Sequence, residues 1–433
     1  MIAHEPVCVI GAGPGGLVMA AALKARGIPF EIVDAGRQPG GIWDIDRDET
    51  PMYESAHFIS SRRLSGLPGF PMPESYPDYP KHDRILDYLR AFARHHDLER
   101  HITFGVRVES ASRRDQGGWQ IALSSGEQRQ ARALCVATGT TWFPRVPVVP
   151  GHFDGEVYHS FFYRSPREFE GKRLLIVGGG NSAADIACDA ARHASAAFIS
   201  LRRGYHFIPK FIFGQPSDVF AHSGPHLPRW LEERVFGFLI NRILVGNLTR
   251  YGLPKPDHAI LRSHPILNTQ ILHHLGHGDI AVRKDVAALD GKTVRFVDGS
   301  SEEIDLIVWA TGYDKPFPFL RDEDLDCNGD ALDLYLNVFH RRHADLFFVG
   351  LFEADGAAYS LDGAQAGLVA SYLDPQTPAS VRDGFDTLRR TDRPDLRGGV
   401  QYVASPRHDY YVKSDVYEKA LFKAAHVLGS SFR

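Results

Sequence analysis

Two apolar runs, Val7-Cys8-Val9-Ile10 and the stretch from Lys172 to Val177, each stop at a glycine and give way to an alanine-rich segment with helical spacing. The first predicts a strand to Ile10, a turn through Gly11-Ala12-Gly13-Pro14-Gly15-Gly16 and a helix from Leu17 to Arg26. After Gly27 a second strand, Phe30 to Asp34, ends on its acid. The same grammar returns downstream, with the turn Gly178-Gly179-Gly180-Asn181-Ser182-Ala183, a helix from Ala184 to His193 and a strand from Ala197 to Leu201. Between the two lie an aromatic, proline-rich stretch from Pro51 to Pro80 and an amphipathic helix carrying Ile85, Leu89 and Phe92. Hairpin-like strands follow at Thr103 to Glu109 and Trp119 to Leu123. A further strand, Ala133 to Val136, runs into Ala137-Thr138-Gly139. Its counterpart, Ile304 to Trp309, runs into Ala310-Thr311-Gly312 and a proline-broken segment, Lys315 to Pro318. Both exits read as crossings between domains. Leu346 to Val349 then reads as a strand, and Leu361 to Tyr372 as a helix starting near Asp362 that returns the chain to the first domain. Val235 to Leu248 is interrupted by Asn241, Arg242 and Asn247. It falls short of the ~20 apolar residues of a membrane helix and reads as a core helix.

Composition narrows the setting. At 433 residues with 43% hydrophobic and 24% charged positions, the chain is an ordinary globular protein of two or three domains. Lys+Arg of 49 against Asp+Glu of 53 leaves a net charge of −4, which gives no electrostatic footprint for nucleic acid or an anionic membrane. Cys8, Cys135, Cys188 and Cys327 have neither disulfide-framework nor metal-ligand spacing, and with no signal-peptide pattern at the start the expected setting is the cytoplasm.

The glycine turns carry the chemistry. In the first, Gly11 makes the tight turn, Gly13 lets a pyrophosphate approach the backbone, and Gly16 lets helix and strand pack closely. Pro14 and Gly15 open the helix whose N-terminus faces the phosphates. Asp34 is spaced to accept hydrogen bonds from a ribose. In the second, Ala183 replaces the last glycine, and the following strand ends on Ser200-Leu201-Arg202-Arg203 where an acid would repel a 2′-phosphate. Guanidinium groups bind such a phosphate, so this site favours NADPH over NADH. Two dinucleotide sites in one chain fit FAD on the Asp34 side and NADPH on the arginine side. The flavin is then reduced by hydride transfer. A disulfide reductase of this plan would need a redox cysteine pair, which the sequence lacks.

Phe153-Asp154-Gly155-Glu156-Val157-Tyr158-His159-Ser160-Phe161-Phe162-Tyr163 resembles the F-x-G-x-x-x-H-x-x-x-Y/F pattern of the class B flavin-containing monooxygenases. Gly40-Gly41-Ile42-Trp43 is similar to that family's G-G-x-W flavin contact, and Gly178 through Asp185 to its G-x-G-N-S-x-x-D NADPH turn. The resemblance implies an enzyme in which NADPH reduces FAD and O2 adds to the flavin. The resulting C4a-hydroperoxyflavin oxygenates a nucleophilic nitrogen or sulfur of a small molecule. Tyr163, where related Baeyer–Villiger enzymes carry tryptophan, favours heteroatom oxygenation over that alternative. The family's asparagine near the flavin and NADP⁺ falls, by ungapped alignment, on Ile59. Isoleucine donates no hydrogen bond, so Ser60, Ser61 or His57 takes over its role as catalytic group, or NADPH oxidation runs uncoupled, as in an oxidase or redox-sensing flavoprotein. The resemblance also suggests a homodimer.

The expected fold is α/β, with two Rossmann-like domains and the active site in the cleft between them. The NADPH domain (166–315) is inserted into a discontinuous FAD domain (1–165 and 316–433). Cofactor contacts are expected from Gly11, Gly13, Pro14, Gly15, Gly16, Asp34, Gly41, Ile42, Trp43, Ile59, Thr138 and Gly139 on the flavin side. On the nicotinamide side they are Gly178, Gly180, Asn181, Ser182, Ala183, Asp185, Arg202, Arg203, Ala310, Thr311 and Gly312. Asp362 and Gln365 begin the final core helix, whose dipole suits a reduced flavin; Asp362 also reads as its N-cap. No metal is expected: among 21 histidines, His258, His264, His273, His274 and His277 cluster in the second domain, His273 and His277 at the i, i+4 spacing of a metal pair, but with no acid-rich ligand pattern nearby. His159 reads as an anchor in the link between domains.

Overall fold

The computed structural model describes residues 5–223, 229–328, 331–356 and 358–430. β1 (Val7–Ile10) is buried at every position, the pattern of a parallel strand covered on both faces. α1 (Pro14–Ala25) follows, with proline at its start, where no helical N–H is needed, and then β2 (Phe30–Asp34). The chain continues through α2 (His82–His95), β3 (Ile102–Phe104), β4 (Val108–Arg113), β5 (Trp119–Leu123), β6 (Gln128–Ala131) and β7 (Ala133–Val136). Next come β8 (Glu156–His159), β9 (Arg173–Val177), α3 (Asn181–His193), β10 (Ala196–Ser200), α4 (Gln270–His277), β11 (Ile280–Arg283) and β12 (Leu306–Trp309). The last elements are β13 (Leu346–Phe348), α5 (Ala358–Leu373), α6 (Ala379–Thr391) and α7 (Ser414–Val427).

These elements form two compact units: Met1–Arg47 with Ser60–Thr140 and Lys315–Arg433, and Asp48–Ile59 with Thr141–Asp314. Residues 48–59 and 141–165, which the sequence pattern groups with the first domain, thus pack within the second unit.

In the first unit the parallel strands lie in the order β13-β7-β1-β2-β3, extended at the β13 edge by two short antiparallel strands, Phe339–His340 and Leu334–Tyr335. Val9 pairs with Ile32 on one side and Cys135 on the other. One face, with Cys8, Ile10, Leu134 and Val136, packs against the antiparallel β4-β5-β6 sheet around the fully buried Trp119. α5 is apolar nearly all round because it packs on both α1 and α7. The sequence places a hairpin arm at Thr103 to Glu109. Instead the chain breaks at Gly105, in the left-handed region, so β3 joins the parallel sheet and β4 the antiparallel one.

The second unit repeats the plan, with parallel order β8-β12-β9-β10-β11. A small sheet formed by residues 286–303 and Gly151–Phe153 covers it through Leu175, Val177, Phe198, Val294, Phe296 and Trp309. The stretch from Val235 to Leu248 is not the core helix its composition suggests. An α-helix ends at Phe238 and a π-helical turn spans Leu239–Leu244. Its apolar positions point all round, so Ile240 is buried with Ile208, Ile212 and Ile260 while Val235, Phe238 and Ile243 stay exposed. Among the described residues no helix is long and apolar enough to cross a membrane.

Candidate active site

In each unit the strand order reverses beside the glycine-terminated strand, between β1 and β7 and between β9 and β12, and ligands of open α/β sheets bind at the strand ends there. The two turns are built alike. Gly11 N–H donates to the Val33 carbonyl and Ala137 N–H to that of Ile10; Gly178 N–H donates to Ser200 and Ala310 N–H to Val177. Gly11 (φ 110°) and Gly178 (φ 138°) both adopt backbone angles that side chains avoid. A Cβ there would lie 2.5 Å from the Ala137 carbonyl oxygen and 2.2 Å from that of Ala310.

The first unit gathers its candidates on one sheet edge. A Cβ on Gly16 would fall 1.8 Å from the Gly11 carbonyl oxygen, so only glycine lets α1 start this close to β1. The Gly-Gly-Ile-Trp segment docks on the same turn: Gly40 N–H donates to the Ala12 carbonyl, and a Cβ on Gly41 would lie 2.9 Å from the Gly13 Cα. Ile42 and Trp43 follow on a short 3₁₀ turn, half-buried, with the Trp43 side chain beside Tyr359 of α5. Thr138 and Gly139 leave the end of β7. Asp34 stands at the end of β2, but its carboxylate is already engaged: Oδ2 accepts from Ala12 N–H at 2.7 Å, Oδ1 from Gly36 N–H, and Arg47 pairs with it at 3.1 Å. Lone pairs remain for a ribose, since each carboxylate oxygen accepts more than one bond. Arg47 escaped the sequence reading because nothing in its spacing distinguishes it from a surface arginine.

α5 begins at Ala358, a full turn ahead of Asp362. Asp362 therefore lies inside the helix and cannot cap it, contrary to the N-cap reading. The apolar periodicity that placed the start near Asp362 ignored Tyr359, which is buried too. Gln365 is fully buried; its Oε1 accepts from Gly350 N–H at 2.8 Å and its Nε2 donates to the Tyr417 hydroxyl. The Oδ1 of Asp362 is buried without a hydrogen-bond partner. A glycine-walled strand edge with one orphaned acidic oxygen fits the ring and pyrophosphate of FAD.

In the second unit Gly178 to Gly180 lead into α3, whose first residues are Asn181, Ser182 and Ala183. Asn181 is committed to the protein, since its Oδ1 accepts from Leu267 N–H at 2.8 Å. Ala183 is fully buried. Asp185 and Asp189, one turn apart, hold residues 48–59: Tyr53 donates to Asp185 at 2.9 Å and Ser55 to Asp189 at 2.5 Å, while Ser182 also bonds Tyr53. The other oxygen of Asp185 accepts from Asn268. Burial raises the Asp185 carboxyl, and the Asn268 and Tyr53 bonds pull it part of the way back. This residue thus anchors the second unit's own chain segments. The Tyr163 hydroxyl donates to Asp189 at 2.9 Å, and its ring stacks on Phe169 at 4.8 Å. The signature's last residue therefore serves the packing of α3.

Past β10, Arg202 is exposed, and Arg203 lies 5.4 Å over the Tyr205 ring with its Nε buried and unpartnered. Tyr205, which no motif flagged, covers Gly179: a Cβ there would be 2.0 Å from its ring. Glycine turn, helix start and an unpartnered guanidinium nitrogen fit the pyrophosphate and 2′-phosphate of NADPH. Ala310, Thr311 and Gly312 leave β12, and the Thr311 hydroxyl donates to the Arg145 carbonyl. His159 is the last residue of β8 in this sheet rather than part of a link. Its Nδ1 accepts from Phe161 N–H at 3.1 Å, and burial lowers it to about 4, so it is a neutral anchor. Among the described residues no group of three or more metal-ligating side chains gathers.

Residues around Ile59 divide between the units. Ile59 and His57 belong to the second, where His57 is exposed with Nδ1 2.8 Å from the Ser55 carbonyl oxygen. Ser60, half-buried, and Ser61, fully buried, belong to the first.

The fold and its two glycine-turn sites define a dinucleotide-dependent oxidoreductase with two nucleotide-binding units. The sequence pattern of the family described as Flavin-binding monooxygenase-like matches residues 4–379, and the chain belongs to that family. It is a flavin monooxygenase with FAD and NADPH as cofactors. It is 34% identical over 322 residues to indole-3-pyruvate monooxygenase YUCCA1 of Oryza sativa subsp. japonica, covering 72% of this chain and 77% of the relative. It is 31% identical over 425 residues to flavin-containing monooxygenase 2 of Homo sapiens, covering 92% and 79%. A steroid monooxygenase solved in its oxidised form bound to NADP has the same fold, with a TM-score of 0.71 and 20% identity, covering 98% of this chain and 97% of that one.

Proposed function

We propose that this enzyme uses NADPH and O2 to oxygenate a nucleophilic nitrogen or sulfur of a small molecule, the substrate taking one oxygen atom and the other leaving as water while NADPH becomes NADP⁺. The observation that carries the reading is identity above 30% across most of the chain to monooxygenases that include a human flavin-containing monooxygenase and several described as N-oxide-forming. The bound flavin supplies the electron transfer and the oxygen activation. The protein's part is to hold, orient and exclude water. In this reading the edge of β1, β2 and β7 holds FAD: the turn at Gly11 to Gly16 takes the pyrophosphate, Asp34 the ribose, and Gly41 to Trp43 the ring. The edge of β9 and β10 holds NADPH, with Arg202 and Arg203 on its 2′-phosphate. Ser60 and Ser61 are better candidates than His57 for the hydrogen bond that Ile59 cannot give, because His57 is exposed and turned to the Ser55 carbonyl. We place the enzyme in a reducing cytoplasm, in keeping with its unpaired cysteines, three of them buried.

The test is product analysis on flavin-loaded protein with NADPH and paired tertiary-amine, thioether and cyclic-ketone substrates, with peroxide measured alongside. N-oxide or sulfoxide formed in step with NADPH consumption supports the proposal. Lactone from the ketone alone would make the enzyme a Baeyer–Villiger monooxygenase. Ile59 favours one other reading, an uncoupled NADPH oxidase, for which all consumed NADPH would appear as peroxide with no oxygenated product.

Cofactor choice has its own test. Charge-assisted hydrogen bonds are each worth about 1.5–3 kcal/mol, or roughly 10- to 100-fold in binding. Replacing Arg202 and Arg203 together by alanine is expected to raise KM for NADPH at least tenfold and leave KM for NADH unchanged, as read by stopped-flow flavin reduction.

A further inference from the structure

Asp362 presents a side chain that packing alone does not explain. It is only 6% exposed, and its Oδ1 has no hydrogen-bond partner. A buried carboxyl oxygen left without a partner costs free energy that an alanine at the same place would avoid. The wall facing it is bare backbone: a Cβ on Gly350 (φ 78°) would come 3.4 Å from Oδ1, and Gln365 holds the Gly350 N–H in place from one turn further along α5. One turn in the other direction, the buried Tyr359 stands beside Trp43 of the Gly-Gly-Ile-Trp segment. The next residue, Gly363, leaves room for Pro68, whose Cγ would lie 2.1 Å from a Cβ there. The orphaned oxygen thus sits in the same wall as the segment that cradles the ring.

Charge around it is sparse. Burial alone raises the Asp362 carboxyl to about 8, with no charged neighbour contributing. The titratable groups that sense it are Tyr359 on α5 and Tyr417 on α7, both pushed above their usual range by burial and so neutral. The first turn of α1, Pro14-Gly15-Gly16-Leu17, carries no ionisable side chain. At neutral pH Asp362 is therefore a hydrogen-bond donor, in a place where an ionised carboxylate could only accept.

We propose that Asp362 is a positioning residue for the flavin: its protonated carboxyl donates a hydrogen bond to an acceptor atom of the ring, and loss of that proton replaces the donor with a negative charge beside the cofactor. This rests on FAD lying at the β1–β2–β7 edge. Ionisation of Asp362 changes the electronic surroundings of the ring and disfavours the extra electron density of the reduced flavin. Reduction accordingly draws a proton onto the carboxyl when the pH lies above its transition.

The measurement is a pH titration of the visible absorbance of the oxidised, FAD-loaded enzyme, with no substrate or NADPH present. The wild type is expected to show a one-proton transition in the flavin bands near the Asp362 value. Asp362→Asn, which keeps a donor but cannot ionise, should retain FAD and reduce that transition at least tenfold, and Asp362→Glu should move its midpoint. A wild-type flavin spectrum flat through this range overturns the inference without any variant, as does an unaltered transition in both variants. A purely structural role would alter thermal stability and leave the flavin spectrum independent of pH. Failure of the flavin placement itself is read separately, from FAD retention in Gly11→Ala.

Discussion

Gly11→Ala is expected to yield protein nearly free of FAD, with a flavin-to-protein absorbance ratio below a tenth of the wild type and a lower melting temperature. The added methyl has nowhere to go. It would stand 2.5 Å from the Ala137 carbonyl oxygen, in backbone rather than in a side chain that could turn aside, and φ at this residue is 110°. Moving either β1 or β7 breaks the parallel register that pairs Val9 with Cys135. Strain of this type costs about 1–3 kcal/mol and overpacking a comparable amount. The same displacement spoils the turn from which Ala12 N–H reaches Asp34. Retention of full FAD by this variant would show that the cofactor lies elsewhere.

Gly178→Ala, the equivalent change in the second unit, should separate the two half-reactions. Here the methyl would meet the Ala310 carbonyl oxygen at 2.2 Å, with φ at 138°. The damage falls on the β9–β12 edge, so FAD content should match the wild type and dithionite should still bleach the flavin. Reduction by NADPH is expected to slow at least 100-fold in anaerobic stopped flow, a loss of about 3 kcal/mol in the transition state. Equal loss of FAD in both variants would contradict the assignment of one cofactor to each unit.

The two turns were legible in the sequence because close backbone approach leaves a chemical mark: at Gly11, Gly16 and Gly178 any side chain would meet a neighbouring carbonyl oxygen. The four buried positions of β1 likewise leave an unbroken apolar run. Long-range polar pairing leaves no such trace. Tyr53 and Ser55 look like ordinary loop residues until α3 brings Asp185 and Asp189 beside them, so the membership of residues 48–59 in the second unit could not be read in advance. The nucleotide motif draws attention to Asp185, whose oxygens accept from Tyr53 and Asn268. Periodicity sets the start of α5 near Asp362, a turn late, because it locates a helix face better than an end. Arg47 and Tyr205 contribute through contacts set by the fold, an ion pair with Asp34 and a ring laid over Gly179.

The tether of residues 48–59 to α3 also governs how the protein can be dissected. A fragment cut at 166 and 314 to isolate the nicotinamide-binding half would strip Tyr53 from Asp185 and both Ser55 and Tyr163 from Asp189, and would remove β8 from the sheet edge. Asp185 would keep only its Asn268 partner, and Asp189 would lose both of the hydroxyls that satisfy it. Expression of this half as a free-standing protein calls for a redesigned connectivity in which 48–59 is spliced ahead of 141–314. The order of the gene and the order of the folded parts are different things in this enzyme, and a recombination breakpoint placed by sequence alone would sever one of them.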